Sequence, residues 1–256
     1  MNNFISKLKP AAPPVGTLLT FNAPEVAEML SLCGFDWLFI DMEHGALGIE
    51  AAQHTIQAIR GDCSALVRAP ENSTVWIKRV MDIGPDGIIV PQVNSAEEAR
   101  RAVAAAKYPP LGARSVGIGR AHDYGLSFGD YVATANTRVA LIIQIEHVEA
   151  VKHLDEILAV KGIDAILIGP NDLSGSMNLL GQVKSEPVQA EIRRVKETCR
   201  RASMPFGIFV LNPADAPREI ADGCSFIAVG TDSAFIVNSA KQALTVVHSH
   251  PAENQN

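Results

Sequence analysis

Residues 35–45 read FDWLFIDMEHG. Five mostly apolar residues, Asp36–Ile40, run into Asp41, Glu43 and His44, and then Gly45. A short apolar run without in/out alternation is the mark of a strand buried on both faces, as in a parallel sheet. A buried strand that ends in three ionisable groups is costly unless those groups have partners or work. Either the strand leaves the core for a polar loop, or it delivers chemistry to a site.

Working outward, seven similar runs appear: 16–21, 65–70, 87–93, 139–146, 164–172, 205–212 and 226–232. Amphipathic stretches alternate with them at 24–33, 49–60, 74–83, 96–107, 148–160, 187–202, 214–221 and 233–248. Ser73 and Ser95 read as N-caps, with Glu98 placed for a capping box. Eight strands in strict alternation with eight helices predict an α/β fold, a single-domain (β/α)8 TIM barrel over 1–256. An open doubly wound sheet is the competing class, but no GxGxxG or P-loop is present. Residues 108–138 form a Gly- and Pro-rich interval, read as an extended loop insertion with a functional or interface role. Residues 249–256 read as a flexible tail. No internal repeat is evident.

The chain has 256 residues, 47% hydrophobic and 20% charged, with net charge −6. That balance argues against a nucleic-acid partner, which needs a basic stripe. No apolar run approaches a membrane span, and the N-terminus lacks a signal-peptide core. The four cysteines show no CxxC or zinc spacing. These features predict a cytoplasmic protein.

Barrel enzymes carry their sites at the C-terminal strand ends. Those ends offer Asp41, Glu43 and His44; Arg68; Gln92; Gln144 and Glu146; Asn171 and Asp172; and Asp232. Glu146 and Asp172 end adjacent strands. Two facing carboxylates suit a hard divalent ion such as Mg2+ or Mn2+, unless one pairs with Arg68 and the other faces solvent. Arg68 must meet an anion, either a substrate carboxylate or developing enolate, or Glu43 or Glu146 in a salt bridge. His44 fits a general base or a third metal ligand. His122, in the long interval, is a possible substrate contact. Every lysine falls outside the strand ends, which argues against imine chemistry, and no GxSxG elbow is present.

Taken together, GFDWLFIDMEHG, ALVRAP, DIGPDGIIVPQVNSAEEARRAV, YPPLGARSVG, RVALIIQIE and GIDAILIGPNDLSGSM resemble the metal-dependent 2-oxo-acid aldolases of the 4-hydroxy-2-oxoheptanedioate aldolase type. Their relatives act on 2-keto-3-deoxy sugar acids. The resemblance runs from Gly16 to Ala243. It implies a (β/α)8 barrel, a divalent metal (Mg2+, Mn2+ or Co2+), reversible aldol cleavage releasing pyruvate and an aldehyde, and a homo-oligomer, a hexamer in this family. Carried over by position, Glu146 and Asp172 are the metal ligands, Arg68 the enolate-stabilising residue and His44 the base. Gln144, Asn171 (through its backbone) and Asp172 are substrate contacts. Asp82 is the acid that raises the histidine's basicity.

Asp82 falls at the end of a helix that returns to the strand starts, about 15 Å from its beginning. It is therefore expected to reach His44 only across a subunit boundary, with Asp41 as the alternative partner within the chain. Met42 and Asn171 depart from the family pattern; both positions are expected to border the site and to bear on which aldehyde is preferred. Two other activities are compatible with the same residues: a CoA-thioester lyase of the citrate-lyase-β or malyl-CoA type, and a non-catalytic oxo-acid-binding barrel.

Overall fold

The computed structural model describes residues 3–8 and 11–249. Of the expected tail, 249–256, only Ser249 falls within them. Eight parallel strands close into one barrel in chain order: β1 (Val15–Leu19), β2 (Trp37–Asp41), β3 (Ser64–Arg68), β4 (Gly87–Val90), β5 (Ala140–Ile145), β6 (Ala165–Ile168), β7 (Phe206–Val210) and β8 (Phe226–Thr231), which pairs back with β1. The (β/α)8 TIM barrel expected from the sequence is the fold.

Both faces of the strands are buried, but they bury different things. The outer face packs Leu38, Ile40, Ala65, Val67, Leu141 and Ile143 against the helices. The inner face stacks Trp37 and Phe39, Leu66, Ala140 and Ile142, Ala165 and Leu167, and Phe226 and Ala228. Inward residues recur every second position, so the last inward positions are Asp41, Arg68 and Gln144. Parity thus aims the site residues. A short helix, Phe4–Lys7, plugs the strand-start mouth. Phe4 is fully buried there, 5.7 Å from both Trp37 and Phe226.

A repeat that the sequence reading missed underlies the strand-start mouth. Asp36, Asp86 and Asp164 each precede an even-numbered strand. The Oδ2 of each accepts the backbone N–H of an odd strand's residue: Val15 (2.8 Å), Ala65 (2.9 Å) and Leu141 (2.8 Å). Each aspartate's own N–H donates back to the same residue's carbonyl, at 2.8, 2.8 and 2.9 Å. In the fourth unit Ser225 makes the backbone half, to Phe206. Two residues before each stands a glycine at positive φ, Gly34, Gly84, Gly162 and Gly223. Four βαβ quarters share one Gly-x-Asp/Ser staple.

Three local expectations need revision. The sixth run was carried to Asp172, but β6 stops at Ile168 and Pro170 opens the helix Pro170–Ser176. Proline has no N–H for a ladder, and its fixed φ suits a first helical turn. The interval 108–138 is not all loop: Arg120–Gly125 is a 3-10 turn and Phe128–Arg138 an α-helix. The stretch expected at 233–248 is the last helix, Asp232–His248, whose apolar face a helix of a closed barrel would bury against the strands. Phe235 stacks on Phe35, 6.1 Å away, and Asp232 is buried, yet Ile236, Val237, Leu244 and Val247 are about half exposed or more. That apolar face does not close the barrel. Both serines cap as expected, Ser73 Oγ accepting from Trp76 N and Ser95 Oγ from Glu98 N, but Glu98 Oε2 accepts from Asn94 N and not from Ser95 N, so the capping box is not closed.

Candidate active site

Asp41 and Arg68 sit opposite each other in the β2–β3 register. Arg68 donates Nε to Asp41 Oδ1 at 2.9 Å and Nη2 to Oδ2 at 2.7 Å, a two-point pair. Its Nη1 reaches Gln144 Oε1 at 3.4 Å, and its guanidinium lies 5.1 Å over the Phe39 ring. The sequence reading offered Glu43 or Glu146 as the salt-bridge partner. Asp41 holds the main pairing, and Glu43 Oε2 is a second neighbour of Nε at 3.2 Å. Burial works to lower the Arg68 pKa, but the hydrogen bond and charge of Asp41 outweigh it, so the guanidinium is held above its ordinary value.

Asp41 Oδ1 also accepts the backbone N–H groups of Glu43 (3.0 Å) and His44 (3.2 Å). This local turn fixes the DMEH segment. Gly45 belongs to the same turn, because a Cβ there would lie 2.3 Å from Asp41 O. Asp41 thus serves Arg68 and two backbone N–H groups, and the expected in-chain pairing of Asp41 with the His44 imidazole is not formed among the described residues. The His44 side chain is 62% exposed, and its Nε2 lies 3.8 Å from Glu43 Oε2.

Glu146 follows β5 and is buried. Its Oε1 accepts the Gln92 N–H at 2.8 Å, and its Oε2 accepts from Gln144 Nε2. Gln92 adopts φ +54° to make that bond, a conformation costing on the order of 1–3 kcal/mol for a non-glycine residue. Burial pushes the Glu146 carboxyl up to about 7; the two hydrogen bonds pull it down, and the charges of Glu43 and Asp172 push it up again. Burial likewise raises Glu43, Arg68 lowers it, and Asp41 and Asp172 raise it. Asp172 is exposed, in the first turn of Pro170–Ser176 beside Asn171. A cavity of about 290 Å3 joins Asp41, His44, Arg68, Gln144, Asn171 and Asp172.

Other expected residues lie elsewhere. Asp82 Oδ1 accepts Arg114 Nη2 at 2.7 Å, beneath the 108–125 segment, and makes no contact with His44 in this chain. His122 is buried; its Nε2 lies 2.6 Å from Gly117 O, and its Nδ1 accepts from Gly125 N at 3.1 Å. It braces its own loop, and the expectation of a substrate contact is withdrawn for this chain. Asp232 accepts from Thr20 N, Thr20 Oγ1 and Phe21 N, tying β8 to the β1 loop. Met42 is buried in the outer core, so it does not border the site. Glu43 was named as a strand-end acid but given no role beyond a possible ion pair. Its even spacing from Asp41 was the available signal.

The donor set can be tested against the implied metal. Glu146 and Asp172 are hard oxygen donors, and Glu146 is a buried acid with two hydrogen bonds and no direct ion pair among the described residues. Glycine at 169 leaves the space open, because a Cβ there would lie 3.2 Å from Glu146 Oε2. No group of three or more His, Cys, Asp or Glu side chains is arranged as a metal cage among the described residues. The residues fit a Mg2+-like ion that takes two carboxylates and completes its shell with water and substrate oxygens.

Fold and site define a (β/α)8 barrel with an acid-rich pocket at the strand C-termini, built round a paired arginine. The chain belongs to the HpcH/HpaI aldolase/citrate lyase family, which matches residues 16–239. It is 38% identical to the 4-hydroxy-2-oxo-heptane-1,7-dioate aldolase of Shigella flexneri, over 94% of this chain and 91% of that protein. It is 37% identical to the 2-dehydro-3,6-dideoxy-6-sulfogluconate aldolase of Pseudomonas putida, over 96% of each. A solved HpcH/HpaI aldolase/citrate lyase family protein from Burkholderia cenocepacia J2315 matches with TM-score 0.92 at 30% identity, covering 97% of this chain and 100% of that one.

Proposed function

We propose that the protein is a divalent-metal-dependent aldolase, a carbon–carbon lyase that reversibly cleaves a 4-hydroxy-2-oxo acid to pyruvate and an aldehyde. The observation that carries this reading is the buried chain Asp41–Arg68–Gln144–Glu146 at the floor of a small-molecule cavity. It sets a fixed guanidinium, whose Nη1 has only a long contact to Gln144, near a buried acid that makes no direct ion pair among the described residues. The aldolase names of the relatives support the same class.

Arg68 donates to the 2-keto oxygen, with Asp41 fixing the direction of the fork. Gln144 and the backbone of Asn171 orient the 2-oxo-acid end. His44, at the open mouth, takes the proton from the C4 hydroxyl. The C3–C4 bond breaks, its electron pair passes toward the keto oxygen, Arg68 stabilises the enolate charge, and a proton returned to C3 then gives pyruvate. Glu146 and Asp172 would hold Mg2+, Mn2+ or Co2+, which would supply Lewis-acid polarisation of the 2-oxo-acid oxygens.

A homo-oligomer, a hexamer by family resemblance, is part of the same reading. The exposed apolar face of the last helix supports it, as do Val116, Ile118 and Leu126 in the 108–138 segment. A cytoplasmic setting accords with four cysteines that form no disulfide among the described residues, where no helix is long and apolar enough to cross a membrane.

The test is turnover of 4-hydroxy-2-oxo acids by chelator-stripped protein, with and without restored metal. Full activity without metal would sink the metal-dependent reading, and exclusive turnover of CoA thioesters would replace it with the lyase alternative. Arg68→Ala should lower kcat by roughly 10²–10³ on the scale of a lost oxyanion donor; a change confined to KM would remove the enolate role.

A further inference from the structure

The imidazole of His44 has no partner assigned by the reading above. Asp41 is saturated by Arg68 and two backbone N–H groups, and Asp82 is held by Arg114. Glu43 is the one acid in the described residues within 4.0 Å of the imidazole nitrogens, at 3.8 Å from Nε2. Its side chain is 13% exposed, and its Oε2 is buried without a hydrogen bond. That oxygen also lies 3.2 Å from Arg68 Nε, but Nε already donates to Asp41 at 2.9 Å. A buried carboxylate oxygen lacking a donor is costly, and such atoms in native structures call for an explanation.

We propose that Glu43 is the positioning residue of His44. Its carboxylate steers the imidazole over the cavity from within the same chain, and supports the proton that His44 takes from the substrate hydroxyl. This rests on the aldolase reading of the site and adds a residue to it. The chain itself builds the arrangement. Asp41 Oδ1 gathers the N–H groups of the second and third residues after it, and the close approach at Gly45 holds the turn tight. Consecutive side chains then diverge. Met42 enters the outer core, Glu43 turns toward Arg68, and His44 reaches the mouth beside it.

A small turn of the His44 side chain closes 3.8 Å to a hydrogen bond once the imidazole carries a proton to donate. Arg68 is the alternative object of Glu43, but it is already charge-neutralised and held at two points. Removing Glu43 leaves that pair whole. The acids and bases facing Glu43 are Asp41, Arg68, His44, Glu146 and Asp172. Of these, His44 and Asp172 make no other side-chain hydrogen bond or ion pair among the described residues, and Asp172 is an acid that repels Glu43.

The experiment uses the full-length, metal-loaded protein with pyruvate and a panel of short aldehydes. Glu43→Gln, His44→Ala and the double variant form a thermodynamic cycle. E43Q should lower kcat about tenfold, within the 10–100-fold range of lost orienting partners, with the KM for pyruvate unchanged. The double variant should fall no further than H44A. Because E43Q removes a carboxylate that is poorly satisfied, its melting temperature should not drop below that of the parent.

A second readout needs no turnover: ¹⁵N spectra of histidine-labelled protein at fixed pH. The His44 ring resonances should move in E43Q and stay in place in Asp82→Asn. Additive losses in the cycle, an unmoved His44 ring in E43Q, or coupling of His44 to D82N in place of E43Q would each overturn the assignment. Absence of aldol turnover in the parent protein would strike the aldolase reading alone, and the ring spectra would still decide the Glu43–His44 contact.

Discussion

At the strand starts, Asp36, Asp86 and Asp164 each close a two-bond staple with a neighbouring strand's backbone. Lysines stand beside this ring: Lys107 Nζ lies 2.7 Å from Asp164 Oδ2, and Lys7 donates to Asp36 O. At the strand ends, Glu43, Glu146 and Asp172 crowd round a single arginine that Asp41 has already neutralised. Similar carboxylates do opposite jobs. The first mouth satisfies its acids and is thereby locked. The second leaves them short of positive charge, so that a cation or a substrate must complete it.

The largest expected effect breaks the locked mouth. Asp164→Ala strips the carboxylate from Lys107, which is 1% exposed, and the acceptor from Leu141 N. Orphaning a buried charge costs about 3–5 kcal/mol. Denaturant titration should show that loss, while kcat per folded molecule stays unchanged. A kcat loss with intact stability would erase the distinction between the mouths.

The open mouth should answer in reverse. Glu146→Gln should abolish metal-supported turnover yet stabilise the metal-free protein at pH 8. The sign follows from the direction in which burial moves the acid. The folded carboxyl titrates at about 7 against an ordinary 4.5, so the unfolded chain gives up its proton first as pH rises. Metal-free parent protein should therefore lose up to about 3 kcal/mol as pH rises from 4.5 to 7, at roughly 1.4 kcal/mol per pH unit. Denaturation in chelator across that range should show the decline in the parent and not in E146Q.

Two milder substitutions sharpen the contrast. Asp36→Ala removes one charge-assisted staple with no buried lysine side chain paired to its carboxylate. It should cost about 1.5–3 kcal/mol in thermal denaturation, with activity kept. Gln92→Gly should change stability by less than about 1 kcal/mol, because relief at φ +54° is offset by a looser unfolded chain. Activity should survive, since the backbone N–H of residue 92, not its side chain, holds Glu146.

The apolar runs were legible because each strand is buried on both faces, and the caps at Ser73 and Ser95 were legible because their signals are local. The pairing of Asp41 with Arg68 was within reach: both close inward-parity series, Trp37–Phe39–Asp41 and Ser64–Leu66–Arg68. Reading strand ends as a set, without parity, missed it. The staples were hidden because the extra segment 108–138 makes the quarters unequal in length, and the fourth carries Ser225 in place of aspartate. The end of β6 was misplaced because GPND reads equally as a strand exit or a helical first turn. The place of the last helix depends on surfaces beyond its own periodicity, and no local pattern in the sequence reports them.

The staples also bear on how the barrel is assembled in time. Each links residues only 21 to 23 positions apart, whereas β1 must find β8 across nearly the whole chain. Closing a short loop sacrifices less chain entropy than closing a long one. Three of the four quarters can thus tie their own ends before the ring exists, and the β8–β1 seam is left as the last and slowest contact. The aspartates at the quiet mouth are, in that sense, instructions for the order in which the cylinder is rolled.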